Sequence, residues 1–236
     1  MELAKLSLNC QHRNYTSLDQ INWPNNGHEY DEFDCSYNEL TSLAGLSNYL
    51  PNLKTIFFDN NKISNFEGLP QSLKYITCSV NLISNFDGLP HETRKLWIQN
   101  NKLTNLEGLD SAAPNLTLLD CDRNQITSLH GLPKLVSILR VDRNKITNFD
   151  GLTRDHQRLK IIECRHNKIC SFKHLPINMT NLHCNNNNIT SMDYFPSNVR
   201  YLAFENNPVY SKYMNSWTVD QIHNDVIDIN VHKWID

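Results

Sequence analysis

The chain has 236 residues, 39% of them hydrophobic, with 22 Lys and Arg against 25 Asp and Glu. A net charge of −3 and a pI near 6.3 leave no basic surplus for a polyphosphate, so nucleic acid is not the expected partner. No stretch is apolar for long enough to span a bilayer, and Met1-Glu2-Leu3-Ala4-Lys5-Leu6 lacks the apolar run of a signal peptide; the expected location is the cytoplasm, away from membranes.

One asparagine recurs almost from end to end: Asn38, Asn61, Asn81, Asn101, Asn124, Asn144, Asn167, Asn187 and Asn207. The gaps are 23, 20, 20, 23, 20, 23, 20 and 20 residues. A period this regular defines a solenoid of stacked coils, one elongated array in place of the one or two globular domains usual for this length.

Residues 1–29 read as a degenerate first coil and N-terminal cap. Leu8, Cys10, Tyr15 and Leu18 fall at the apolar offsets of the repeat if Arg13 replaces the asparagine. Terminal coils are atypical because they must cover the core. Asn22 to Gly27 is rich in turn formers, and Trp23 is placed to close the open end.

Residues 30–210 carry nine further coils. Five positions before each asparagine stands an aliphatic or aromatic residue, from Phe33 and Ile56 to Leu202; three before stand Cys, Phe, Ile or Val. This alternation has the period of a strand, so each coil is expected to contribute one short parallel strand. Further apolar columns lie two, five and eight residues after the asparagine, as in Ile83, Phe86 and Leu89. Together they fill a continuous core. Cys35, Cys78, Cys121, Cys164 and Cys184 share the column of Phe58, Ile98, Val141 and Phe204. A site that accepts all of these is apolar and inward, so the cysteines read as buried free thiols. There is no CxxC and no paired His spacing, so no metal or other cofactor is expected.

The outer side of a 20-residue coil carries Pro after Leu, as in Gly88-Leu89-Pro90, which disfavours a helix. The 23-residue coils insert Ser47 to Pro51, Asp110 to Pro114 and Thr153 to His156. Each is expected to form one helical turn opening on a Ser, Asp or Thr cap. Residues 211–236 leave the pattern and read as a C-terminal helical cap: Thr218 caps a helix with Val219, Ile222, Val226 and Ile229 on one face, flanked by Trp217 and Trp234.

Leu73-Lys74-Tyr75-Ile76-Thr77-Cys78-Ser79-Val80-Asn81-Leu82-Ile83 resembles the leucine-rich-repeat pattern LxxLxLxxNxL at every position, and the resemblance recurs over roughly residues 5–210. The Gly-Leu-Pro half is similar to the repeats of phosphatase-regulating subunits and of bacterial secreted effectors. The short Asn-rich, Cys-containing style resembles repeats of giant DNA viruses, for which the location would be the host cytoplasm. The resemblance implies an α/β-type leucine-rich-repeat solenoid, right-handed and gently curved. Its parallel β-sheet would line the concave face, opposite a mostly extended or 3-10 convex face with few helices.

The positions four, two and one before each asparagine are expected to point from the sheet into solvent. Phe57 and Trp97 place aromatics there, and Tyr75 stands at the sheet border; exposed aromatics on a rigid surface anchor protein interfaces, though Trp97 lying flat on its neighbours is an equal reading. The middle coils carry Asp120, Asp122, Arg140, Arg143, Glu163 and Arg165, with His183 beyond. Opposite charges on adjacent strands pair with one another, so a self-satisfied surface competes with a ligand site. Leu118, Ile138 and Ile161 form an apolar stripe six before the asparagine, a candidate contact border. His183 adjoins Cys184 and His166 lies near Cys164, but inward Cys and outward His cannot form a nucleophile–base pair, so no catalytic residue is assigned. The expected function is a non-enzymatic protein–protein interaction module that binds its partner on the concave sheet as a monomer. The alternative is a structural or assembly component, a homo-oligomer held through the apolar border or an end coil.

Overall fold

Most strands are three residues long, with a buried Ile or Leu at the centre. In Thr55-Ile56-Phe57 the isoleucine is fully buried and its neighbours are half-exposed. The computed structural model describes residues 6–211 and 227–228. The chain divides into two units: Met1–Leu103 with Gly108–Cys121, and Thr104–Glu107 with Asp122–Asp236.

In the first unit, β1 (Leu6–Asn9), β2 (Tyr30–Asp34), β3 (Thr55–Phe57), β4 (Tyr75–Thr77), β5 (Lys95–Trp97) and β6 (Leu118–Asp120) pair in chain order, all parallel. Ile56 lies opposite Ile76, and Ile76 opposite Leu96, so the period of the sequence is the register of the sheet. In the second unit, β7 (Ile138–Arg140), β8 (Ile161–Glu163), β9 (Asn181–His183) and β10 (Tyr201–Ala203) repeat the arrangement. A two-residue strand, β11 (Ile227–Asp228), pairs antiparallel with β10. Those two residues are extended where a helix is expected from the sequence. Thr218, Val219, Ile222, Val226, Ile229, Trp217 and Trp234 lie outside the described residues.

The strands are too short to satisfy the backbone where the chain leaves them, and the recurring asparagine completes the bonding. Asn61 Nδ2 donates to its own coil at Phe58 O (3.1 Å) and to the preceding coil at Cys35 O (3.0 Å), while its Oδ1 accepts the Leu40 N–H of that coil (3.0 Å). Asn81 does the same with Cys78 O, Phe58 O and Ile63 N–H. In the second unit, Asn167 bonds Cys164 O, Val141 O and Ile146 N–H, and Asn187 bonds Cys184 O, Cys164 O and Ile169 N–H. The contacts run from amide to the backbone of the previous coil, not from amide to amide. Arg13 is exposed and makes no such bridge; instead its N–H and that of Tyr15 donate to Asn38 Oδ1.

The residue before each asparagine adopts a left-handed conformation. Tyr37, Asn60, Val80, Asn100, Arg123, Arg143, His166, Asn186 and Asn206 all have φ between 53° and 58°. This column therefore belongs to the turn that leads out of the strand, not to the strand surface. Asn tolerates the conformation, whereas a β-branched side chain does so at a cost.

A second left-handed position lies seven after the asparagine and explains the recurrent Gly-Leu. At Gly88 (φ 78°) a Cβ would stand 2.7 Å from the Glu67 backbone nitrogen, so the glycine provides conformation and clearance together. The same left-handed glycine opens α1 (Leu46–Tyr49) and α2 (Leu109–Ala112), after Gly45 and Gly108. The caps expected at Ser47 and Asp110 are inside these single turns, and neither helix has a side-chain cap. The third insertion forms turns instead of a helix. There the His156 ring, 4% exposed, accepts the Thr153 N–H at Nδ1 (3.0 Å) and bonds Leu132 O through Nε2 (3.0 Å). The imidazole thus ties this turn to the preceding coil, while the His156 N–H closes it on Thr153 O (3.1 Å).

The core is the set of apolar columns. Phe58, Phe66, Phe149, Phe172 and Phe204 are fully buried, and so are Cys35, Cys78, Cys121, Cys164 and Cys184, all as free thiols. Trp23 stacks on Tyr49 (4.4 Å between centroids) and tilts against Phe33, with its indole N–H on Leu18 O.

Two substitutions test these local rules. Asn81→Leu strands the buried Ile63 N–H and leaves Phe58 O with Asn61 alone, and should cost about 1–3 kcal/mol in a denaturant melt. Val80 is 44% exposed, so Val80→Asn loses little packing while relieving the left-handed strain, and should raise stability by about 1 kcal/mol in the same assay.

Candidate functional site

The two units present different chemistry on the exposed side of their strands. In the first, the ring of Trp97 stands beside Thr77, its register partner on β4. Trp97, Tyr37, Asp59, Asn60, Thr77, Ser79 and Gln99 line an open groove of about 360 Å³. Its polar floor is largely bonded to itself. Asp59 accepts the Thr77 hydroxyl (2.6 Å) and the Ser79 N–H (2.5 Å), and the Ser79 hydroxyl donates to Gln99 Oε1 (2.5 Å). The Asp59 N–H in turn donates to Ser36 Oγ (3.2 Å).

In the second unit the same sheet positions form a charged network. Arg140 Nε bonds Glu163 Oε1 at 3.2 Å. Arg165 bridges Asp142 (2.9 Å) and Glu163 (3.0 Å), and its other terminal nitrogen donates to His183 Nδ1. Burial works against the Arg165 charge, but Asp142 and Glu163 outweigh it and hold the guanidinium above its ordinary range. Burial and then the Arg165 charge push His183 below the ordinary histidine range. Burial likewise pushes the thiols of Cys35, Cys78, Cys164 and Cys184 up, away from thiolate chemistry. His166 is exposed while Cys164 is buried.

The aspartates two before the asparagine have a structural task that their column conceals in sequence. Asp59 accepts the N–H of the residue one coil on, Ser79; Asp122 accepts that of Asp142 (2.7 Å), and Asp142 that of Arg165 (2.6 Å). One carboxylate oxygen therefore holds register in each case.

Of the residues singled out from sequence, Trp97 lines the groove, and Phe57 is half-buried beside it in register with Thr77. Tyr75 lies on the border, 36% exposed, with Lys95 Nζ 5.7 Å from its ring centre. Asp120 is only 4% exposed, unlike the half-exposed Asp122, Arg140, Glu163, Arg165 and His183; Arg143 is exposed on the left-handed turn. Leu118, Ile138 and Ile161 are all half-buried, with Ile138 opposite Ile161. Tyr37, Asp59, Ser79 and Gln99 were not picked out in sequence as groove residues. The signal was there in the run Asp59, Ser79, Gln99 along one column beside Trp97. Among the described residues no helix is long and apolar enough to cross a membrane.

Parallel strands stacked in register, each followed by a buried asparagine, define a class: the chain is a leucine-rich-repeat protein. A family model described as Leucine Rich repeats (2 copies) matches residues 31–71 and 94–134. Among solved structures, YopM from Yersinia enterocolitica is 31% identical with a TM-score of 0.62, over 74% of this chain and 37% of that one. An internalin from Listeria monocytogenes is 22% identical with a TM-score of 0.66, over 76% of this chain and 55% of that one. The Leptospira interrogans leucine-rich-repeat protein LIC12759 is 21% identical with a TM-score of 0.67, over 80% of this chain and 52% of that one. The last two likenesses concern the fold alone. The chain spans between 37% and 55% of the length of these three proteins. No curated protein sequence matches it.

The His183 contact has a pH consequence. Its folded-state pKa lies below the unfolded value of about 6.5, so its contribution is fully present above that pH and is lost as pH falls toward the folded value. Protonation removes the acceptor for Arg165 and sets two cations together. Thermal melts between about pH 7.5 and 5 should show a smaller acid loss of stability in His183→Gln than in the parent.

Proposed function

We propose that the chain is a protein-binding module without enzymatic activity, acting as a monomer in the cytoplasm and recognising its partner on the exposed face of its sheet. The observation that carries this reading is the groove beside Trp97, where an aromatic ring stands on a rigid sheet next to polar groups. Aromatic anchors in such settings supply most of the free energy of protein interfaces. The charged network of Arg140, Asp142, Glu163 and Arg165 would serve as a second contact region that adjusts specificity more than affinity. Buried reduced thiols accord with a reducing compartment.

Affinity capture from the cell of origin, followed by mass spectrometry, tests this reading with Trp97→Ala and Arg140→Glu. Trp97→Ala should lose a partner that the parent retains, and Arg140→Glu should weaken its capture. Retention of every partner by both variants would sink the proposal.

A further inference from the structure

The groove beside Trp97 contains a carboxylate and no cation. Before Asn38, Asn61, Asn81 and Asn101, none of the residues at positions four, two and one is basic, although Asp34 and Asp59 are acidic. The Asp34 carboxylate is engaged by the Gln11 amide and the Ser36 N–H. Asp59 receives one hydroxyl and one backbone N–H, which leaves about half of the acceptor capacity of a carboxylate. The second unit shows what the same scaffold does with acids at these positions: Asp142 and Glu163 each bond an arginine. Asp59 has no arginine at the matching positions of its own unit.

The remaining chemistry narrows the occupant. The Thr77 and Ser79 hydroxyls, which could otherwise serve a sugar, are donated to Asp59 and Gln99. Beside the Asn60 and Gln99 amides, the groove offers a carboxylate edge and an indole face. A guanidinium satisfies both, because its planar fork matches a carboxylate and its face stacks on an aromatic ring. The volume of about 360 Å³ suits one long side chain and not a folded element. We propose that this groove receives an arginine side chain of the protein partner, its guanidinium on Asp59 and against Trp97. The assignment rests on the protein-binding reading above and supplies its chemistry.

The test uses the full chain and three blocked pentapeptides, Gly-Ser-X-Ser-Gly with Arg, Lys or Gln at X. Two-dimensional NMR follows the Trp97 indole N–H and the Ser79 amide. The Arg peptide should shift both signals saturably, the Lys peptide should bind more weakly, and the Gln peptide should leave them in place. Asp59→Asn keeps an oxygen for the Ser79 N–H and should weaken the Arg peptide about tenfold. Should that variant melt early, Thr77→Arg serves instead, since it seats a guanidinium in the groove from within and should abolish the shifts. Equal binding of Arg and Gln or of Arg and Lys peptides, indifference to both substitutions, or no shift in the parent would overturn the assignment. The two readings fail separately. Partner loss in Trp97→Ala without Arg-peptide binding rejects the guanidinium alone. Arg-peptide binding with every captured partner retained by both capture variants rejects the partner reading.

Discussion

The constraint on which the structure depends is the satisfaction of backbone groups where a three-residue strand ends. A strand this short closes few bonds of its own, and the chain turns inward between two buried apolar residues. Water cannot reach the carbonyl of Cys35 or the N–H of Leu40 there. The Asn61 amide reaches both, and its counterparts do the same one coil after another. Apolar columns supply the free energy of burial, but they accept Cys, Phe, Ile and Val alike. Only the amide is specific about position, so it sets the register in which those columns meet.

The sheet face is organised by the same economy of polar groups. Acids two before the asparagine give one oxygen to the next coil, and what they do with the other oxygen distinguishes the units. In the second unit Arg165 takes the other oxygen of Asp142 and joins it to Glu163 and Arg140, a half-exposed network in which each pair contributes little stability. In the first unit the other oxygen of Asp59 accepts the Thr77 hydroxyl and meets no arginine, beside an aromatic wall.

Much of this was legible in the sequence because it is periodic. The asparagines, the apolar columns, the three-residue strands and the inward cysteines repeat often enough for their environment to be read from what each column tolerates. The column before the asparagine reads as sheet surface in sequence but belongs to the turn. It mixes Tyr, Arg, His and Val with four asparagines, so residue type masked a uniform left-handed backbone. At Thr153 the hydroxyl accepts the Asp155 N–H as a cap would, but the His156 ring folds back onto the Thr153 N–H and Leu132 O, and the segment closes as turns and not as a helix. The groove was half visible, through Trp97 but not Asp59. Whether a polar side chain bonds inward or outward depends on the coil beside it, which a column of letters does not show.

The asparagine bridges also have a direction. Each side chain serves its own coil and the one before it, so the debt runs toward the N-terminus. A lesion at Asn187 strands the Ile169 N–H and takes one of two donors from Cys164 O, upstream, while Asn207 and its bonds to Cys184 and Ile189 are untouched. Injury to such an array is polarised: every coil is guaranteed by its successor. The chain is completed in the order in which it leaves the ribosome, and a coil becomes fully bonded only when the next has been made.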